Sequence, residues 1–197
     1  KSTLTRLELT PLDADSSSRY KKIVADPAAM DALLVELFLE AHAKPPEQII
    51  VDVDATDDSL HGHQEGRFFH GYYRNYCYLP LYIFCGEHLL CARLRTADQD
   101  GAAGTVDELA RIVGQLRHHW PRTRIIVRAD SGFCRDNLMS WCEAENIDYV
   151  LGLAKNSRLT TAIRTEMAAA KAHYEATEKA ARVFKDFRYR TLDSWSR

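Results

Sequence analysis

Two stretches of near-continuous β-branched residues each end in a carboxylate: Ile49-Ile50-Val51-Asp52-Val53-Asp54 and Ile125-Ile126-Val127-Arg128-Ala129-Asp130. Apolar runs with so little alternation predict strands buried on both faces of a sheet. Around them the period changes. Met30, Leu33, Leu34, Leu37, Phe38 and Ala41 recur at helical spacing behind Asp26-Pro27, an N-cap followed by proline at the first helical position. They predict a helix that turns this stripe inward and ends before Pro45-Pro46. Residues 76–85 and 88–95 predict two strands of an antiparallel hairpin turning at Gly86-Glu87, with Pro80 suited to an edge or a bulge. Thr105 and Glu108 have capping-box spacing, and Val106, Leu109, Ala110, Val113, Leu116 and Trp120 give an amphipathic helix stopped by Pro121. A shorter helix with Leu138, Met139, Trp141 and Cys142 inward follows, then a buried strand over residues 149–153. Leu159, Ile163, Met167, Ala170, Tyr174, Thr177 and Ala181 predict one long helix, after which residues 184–191 alternate aromatic and basic side chains like an exposed strand.

The order is strand, strand, strand, helix, strand, helix, strand. The first three strands fit an antiparallel meander, and the two helical crossovers imply parallel, right-handed connections. A five-stranded mixed sheet with strand one central places the first and fourth strands side by side, so Asp54 and Asp130 leave the sheet at one edge, where open α/β sheets carry their sites. Two aspartates crowded together repel, so that one takes a proton or the pair holds a cation. Each aspartate taken alone is also an ordinary turn cap. Residues 1–47 are expected to form a loop, over 1–20, and a helix leading into a core of residues 48–155, with residues 156–197 as a long helix and the start of a further segment.

Composition narrows the class. With 46% apolar and 27% charged residues among 197, the chain is expected to be an ordered globular protein. Apolar stretches are broken by charge well before the roughly 20 residues a bilayer needs, so no membrane partner is expected, and the opening Lys1-Ser2-Thr3 has no signal-peptide character. Five cysteines without a C-x-x-C pair suggest neither a zinc knuckle nor a complete disulfide framework, and a reducing, cytoplasmic setting fits. The net charge of −2 is unevenly spread: residues 151–197 hold ten Lys or Arg against five Asp or Glu, a balance of +5, leaving −7 for residues 1–150. The acidic part can hold cations, and the basic part can meet phosphates or simply be a solvated face. His61, His63 and His70 with Asp57 and Asp58 lie in a glycine-rich loop without a recognised ligand spacing.

Several blocks resemble the bacterial insertion-sequence transposases of the DDE type, which have a ribonuclease H-like catalytic core. They are Val51-Asp52-Val53-Asp54-Ala55-Thr56-Asp57-Asp58, His61-Gly62-His63-Gln64-Glu65-Gly66, Tyr76-Cys77-Tyr78-Leu79-Pro80-Leu81, Ala92-Arg93-Leu94-Arg95 and Arg128-Ala129-Asp130-Ser131-Gly132-Phe133. The resemblance covers most of residues 48–160. It implies an α/β, ribonuclease H-like sheet in the order 3-2-1-4-5 flanked by helices, and a DNA transposase that cleaves transposon ends and joins them to target DNA. It assigns the first catalytic aspartate to the D-x-T at the end of strand one, Asp54, and the second to Asp130. Two Mg²⁺ or Mn²⁺ ions are implied, with Asp54 and Asp130 as ligands and Asp52 as a weaker candidate, and a homodimer in the synaptic complex. Lys155, Arg158, Arg188 and Arg190 are expected on the DNA side. The third acid of that family is a glutamate within Y-x-x-R-x-x-x-E, and no stretch here fits; Glu166, Glu175 and Glu178 lack the tyrosine and arginine spacing. The resemblance therefore implies a central piece of a transposase. A stand-alone nuclease of the same fold and an inactive remnant that binds DNA or a partner remain as rivals.

Overall fold

The computed structural model describes residues 26–190 and residue 195, so the loop expected over residues 1–20 lies outside the described residues. Helix α1 (Pro27–Glu40) begins where Asp26 accepts a hydrogen bond from the Ala29 amide at 3.0 Å. Its inward face is only part of the expected stripe: Phe38 is buried and Leu34 half-buried, joined by Val35, whereas Met30, Leu33 and Leu37 are exposed. The helix is apolar on more than one side, and long-range partners choose the face. Asp31 pairs with Arg93 across 2.7 Å, which turns the side bearing Val35 and Phe38 onto the sheet.

Strand β1 (Gln48–Ala55) is the centre of a five-stranded sheet ordered β6-β5-β1-β7-β8, with β5 (Leu81–Cys85), β6 (His88–Arg93), β7 (Arg124–Ala129) and β8 (Asp148–Leu151). β1 is antiparallel to β5 and parallel to β7, and β7 is parallel to β8. The crossovers are α2 (Thr105–His119) and α3 (Asp136–Ala144). Ile49, Val51 and Val53 join Leu81, Ile83, Ile125 and Val127 in one core with residues of all three helices, including Phe38, Leu109, Leu116 and Leu138. The helices therefore cover one face of the sheet. The other face is open at Ile50, Arg128 and Val150, which corrects the expectation of strands buried on both faces. Period two explains the difference, because Ile50 falls on the side that carries Asp52 and Asp54.

Three further expectations are revised. The stretch expected as one strand over residues 76–85 divides at Pro80. Its first part, β4 (Asn75–Tyr78), belongs to a separate three-stranded sheet, β2-β4-β3, with β2 (Asp58–Ser59) and β3 (Phe68–His70). Proline has no amide to give a ladder, and the chain changes sheets there. The capping box at Thr105 does not form. Gly104 precedes the helix with φ +72°, Thr105 is buried inside it, and Glu108 instead accepts from Arg93 Nε at 2.8 Å and Arg111 Nε at 3.1 Å. The long C-terminal helix is two helices, α4 (Ser157–Ala162) and α5 (Arg164–Thr177), broken at Ile163, and residues 184–190 form no strand.

Candidate active site

The site follows from where the parallel strands stop. The β1–β7 ladder runs from Gln48 beside Arg124 to Val53 beside Ala129, so the next residues, Asp54 and Asp130, emerge at the same edge of the sheet. Both are exposed to solvent. Asp130 ends the strand as the cap of a short 3-10 turn (Ser131–Phe133), its side chain accepting from the Gly132 amide at 2.7 Å. The turn is backed closely by the next strand. Gly152 donates its amide to Ala129 O at 3.0 Å, and a Cβ on Gly152 would lie 2.8 Å from Ser131 N and 3.1 Å from the Asp130 carbonyl carbon. Only a residue without a side chain fits, so Gly152 sets how Asp130 sits.

On the other side of Asp54 the small sheet closes in. Tyr73, in the turn between β3 and β4, donates its hydroxyl to Ala55 O at 3.3 Å, one residue past Asp54. Burial first, then the carboxylates of Asp57 and Asp54, with Asp130 adding a smaller share, push the Tyr73 phenol above its usual pKa. Asp57 accepts from Asn75 Nδ2 at 3.0 Å and Ser59 Oγ at 3.1 Å. The Asn75 hydrogen bond, ahead of other influences, holds the Asp57 carboxyl below its ordinary range. On the far side, loop residue Asp100 receives Arg135 at 3.0 Å and Ala102 N at 2.8 Å, while the buried Arg95 guanidinium donates to Leu79 O, Ala103 O and Gly101 O. That buried guanidinium fixes the loop after β6 to the strand ends.

Asp52 points out of the same strand side as Asp54 but is engaged elsewhere. Arg128, its partner in the ladder, grips both its oxygens, Nε to Oδ1 at 2.5 Å and Nη2 to Oδ2 at 2.8 Å. Lys155 is exposed beyond β8, past the edge where Asp54 and Asp130 emerge. Arg158 on α4 lies 5.2 Å over the Tyr189 ring and donates to Arg190 O at 3.3 Å, so the structure gathers Arg158 and Arg190, while Arg188 is exposed nearby in the chain. The acids of α5 have local partners: Glu166 with Lys185 at 3.2 Å and Glu175 with Lys171 at 3.6 Å. Among the described residues no three His, Cys, Asp or Glu side chains converge as an ion site, the histidine loop included. The donor set at the edge is oxygen only and wet, which suits a hard cation such as Mg²⁺ that keeps several waters.

Residues 1–197 match the family described as Transposase DDE domain group 1. The chain belongs to this family. No curated protein matches the sequence. Among solved structures, the transposase domain is similar to piggyBac transposase in a synaptic complex with hairpin DNA, at 12% identity and TM-score 0.40, over 58% of this chain and 24% of that one. It is also similar to the catalytic domain of Mos1 mariner transposase, at 14% identity and TM-score 0.40, over 82% and 78%. The Mos1 transposase paired-end complex with left transposon end gives 12% identity and TM-score 0.37, over 91% and 56%. The transposase domain thus spans less than two thirds of the piggyBac chain and of the Mos1 chain in that complex. Within the described residues no helix is long and apolar enough to cross a membrane.

Sequence reasoning singled out both aspartates at this edge but not Tyr73, Asn75 or Gly152. Nothing local marks them. Tyr73 reads as one aromatic in a run and Gly152 as a small residue in a strand, and their roles appear only once distant segments meet.

Proposed function

We propose that this domain is the catalytic part of a DNA transposase, cutting phosphodiester bonds at transposon ends and joining the freed 3′ hydroxyl to target DNA. The observation that carries the reading is the emergence of Asp54 and Asp130 from adjacent parallel strands at one sheet edge, in a chain of the DDE family. Asp54 and Asp130 would hold Mg²⁺ or Mn²⁺. When bound, the ions neutralise charge on the phosphate and lower the pKa of the attacking oxygen. Tyr73 steadies the end of β1 through Ala55, and Gly152 lets the Asp130 turn approach β8, so both carboxylates are held without being buried. Asp52 is left out of the ligand set, because Arg128 takes both of its oxygens. Lys155, Arg158, Arg188 and Arg190 supply positive charge for the DNA backbone, and the active assembly is a homodimer on paired ends. Residues 48–155 are the catalytic core of this reading.

The test is Mn²⁺ binding to the 197-residue chain, followed by electron paramagnetic resonance. Asp54→Asn and Asp130→Asn are each expected to weaken binding at least about tenfold, as removal of a charged oxygen ligand does, while Asp58→Asn leaves it unchanged. Binding equal to wild type in both variants would overturn the site.

A further inference from the structure

Between Arg67 and Tyr78 the chain places aromatic residues at positions 68, 69, 72, 73, 76 and 78. Folding sorts them onto opposite sides of the β3–β4 hairpin. One side is packed: Cys77 is fully buried with Leu79 and Ala97, and Tyr73 packs against them, although Phe68, paired with Cys77 on that side, stays 41% exposed. The other side faces solvent yet is aromatic. Phe69 and Tyr76 are directly paired across the strands, with ring centroids 5.6 Å apart at 71°, and they remain 56% and 47% exposed. Arg67 lays its guanidinium 4.6 Å over the Tyr76 ring, held there by hydrogen bonds to Gly62 O and His63 Nδ1. An antiparallel sheet with one packed face normally shows polar side chains on the other. Here the solvent side holds flat π faces with a fixed cation among them.

That combination matches a particular kind of ligand. An apolar peptide would gain nothing from the cation, whereas an unpaired nucleotide offers a base to stack on the ring and a phosphate for the guanidinium. A fully paired duplex keeps its base faces inside the stack, so it can use only the charge. The hairpin is also tied to the carboxylate edge. Its turn carries Tyr73, bonded to Ala55 O beside Asp54, and its first β4 residue, Asn75, holds Asp57. Both ties leave from the packed side of the hairpin, so the Phe69–Tyr76 face lies on its opposite side.

We propose that Phe69, Tyr76 and Arg67 form a stacking platform for an unpaired base of the DNA that the domain binds. This rests on the reading of the domain as a DNA-processing enzyme and adds that it takes a locally unpaired strand. The platform gives the domain a preference for unstacked over fully paired DNA, set by the rings and not by base identity.

The experiment uses the 197-residue chain with a single-stranded oligothymidylate of about 12 nucleotides, within the site size of such binders, carrying one 2-aminopurine, and the same length fully paired. Stacking quenches the 2-aminopurine emission, and anisotropy gives the affinity. Phe69→Ala and Tyr76→Ala are each expected to relieve quenching and weaken single-strand binding by about tenfold, with less than about twofold change on the duplex. Tyr76→Trp, which keeps a ring, retains both signals, and Tyr174→Ala, an exposed ring on α5, changes neither. Equal losses on single and paired DNA, or no quenching in the unaltered chain, would overturn the platform. So would a concentration-dependent dimer that Phe69→Ala abolishes, because the face would then belong to a second copy. Asp54→Asn separates this from the catalytic reading: it weakens Mn²⁺ binding and leaves quenching intact, whereas the platform variants do the reverse.

Discussion

Asp130 is held by what its neighbours lack. A methyl group at residue 152 would have to occupy space 2.8 Å from Ser131 N, and because that atom is backbone, the turn itself must move. Gly152→Ala is therefore expected to cost about 1–3 kcal/mol, the usual range for overpacking, and to weaken Mn²⁺ binding in the same titration that tests Asp130. Gly114, exposed in the middle of α2 with open space where a methyl group would stand, is the contrast. There Ala is expected to stabilise by about 0.5–1 kcal/mol, because glycine loses more backbone freedom in a helix. Thermal melts of the two variants should move in opposite directions. If both rise, Gly152 is merely loop and the Asp130 turn has room to spare.

Among the elements, α1, β6 and α2 are joined by charge as well as by packing. Arg93 on β6 reaches Asp31 of α1 at 2.7 Å and Glu108 of α2, and Arg111 adds a second guanidinium to Glu108 at 3.1 Å. Burial pushes the Glu108 carboxyl up, but the hydrogen bonds and charge of Arg93 and Arg111 outweigh it and hold the group below its ordinary range. The unfolded chain then binds the proton more readily than the folded one. Glu108 stabilises fully above the ordinary carboxylate value of about 4.3, and its contribution fades as pH falls through the lowered folded value. Glu108→Gln is expected to cost about 1–3 kcal/mol at neutral pH, as loss of hydrogen bonds to a charged group does, and the gap from the unaltered chain should narrow in acid. Melts at neutral pH and near pH 3, below the ordinary value, measure it. A gap that stays constant would show that Glu108 acts only by packing.

Across the whole molecule, charge and the acid count set two further expectations. Binding to duplex DNA should weaken steeply with salt. Replacing Lys155, Arg158, Arg188 and Arg190 by alanine should flatten the slope of log affinity against log salt by about one unit for each phosphate no longer neutralised. An unchanged slope would place the DNA on another face. The second concerns turnover. Two aspartates can hold an ion, while on α5 Glu166 pairs with Lys185 at 3.2 Å and Glu175 with Lys171 at 3.6 Å. Without a third carboxylate at the edge, nicking of transposon-end DNA is expected to run at least about a hundredfold more slowly than with one, since a lost electrostatic stabiliser of the transition state costs that much. Robust Mg²⁺-dependent nicking that vanishes in Glu166→Gln would reassign the third acid to α5.

Much of the frame was legible in the residues. Asp26-Pro27 starts a helix and Gly86-Glu87 turns a hairpin for local reasons, and helical crossovers on both sides of β7 allow few ways to place it other than parallel beside β1. That is enough to bring Asp54 and Asp130 to one edge. What the residues could not say is what each side chain meets there. Asp52 and Asp54 occupy equivalent positions on β1, and only Arg128, 76 residues away, separates an ion-paired carboxylate from one left open to solvent. The inward face of α1, the change of sheet at Pro80, the aromatic side of the β3–β4 hairpin and the fit of Gly152 against Ser131 were decided in the same way. Local propensity selects the element from a few neighbouring residues, whereas the partner of each face is chosen by burial and pairing across the folded chain, which no short window of sequence contains.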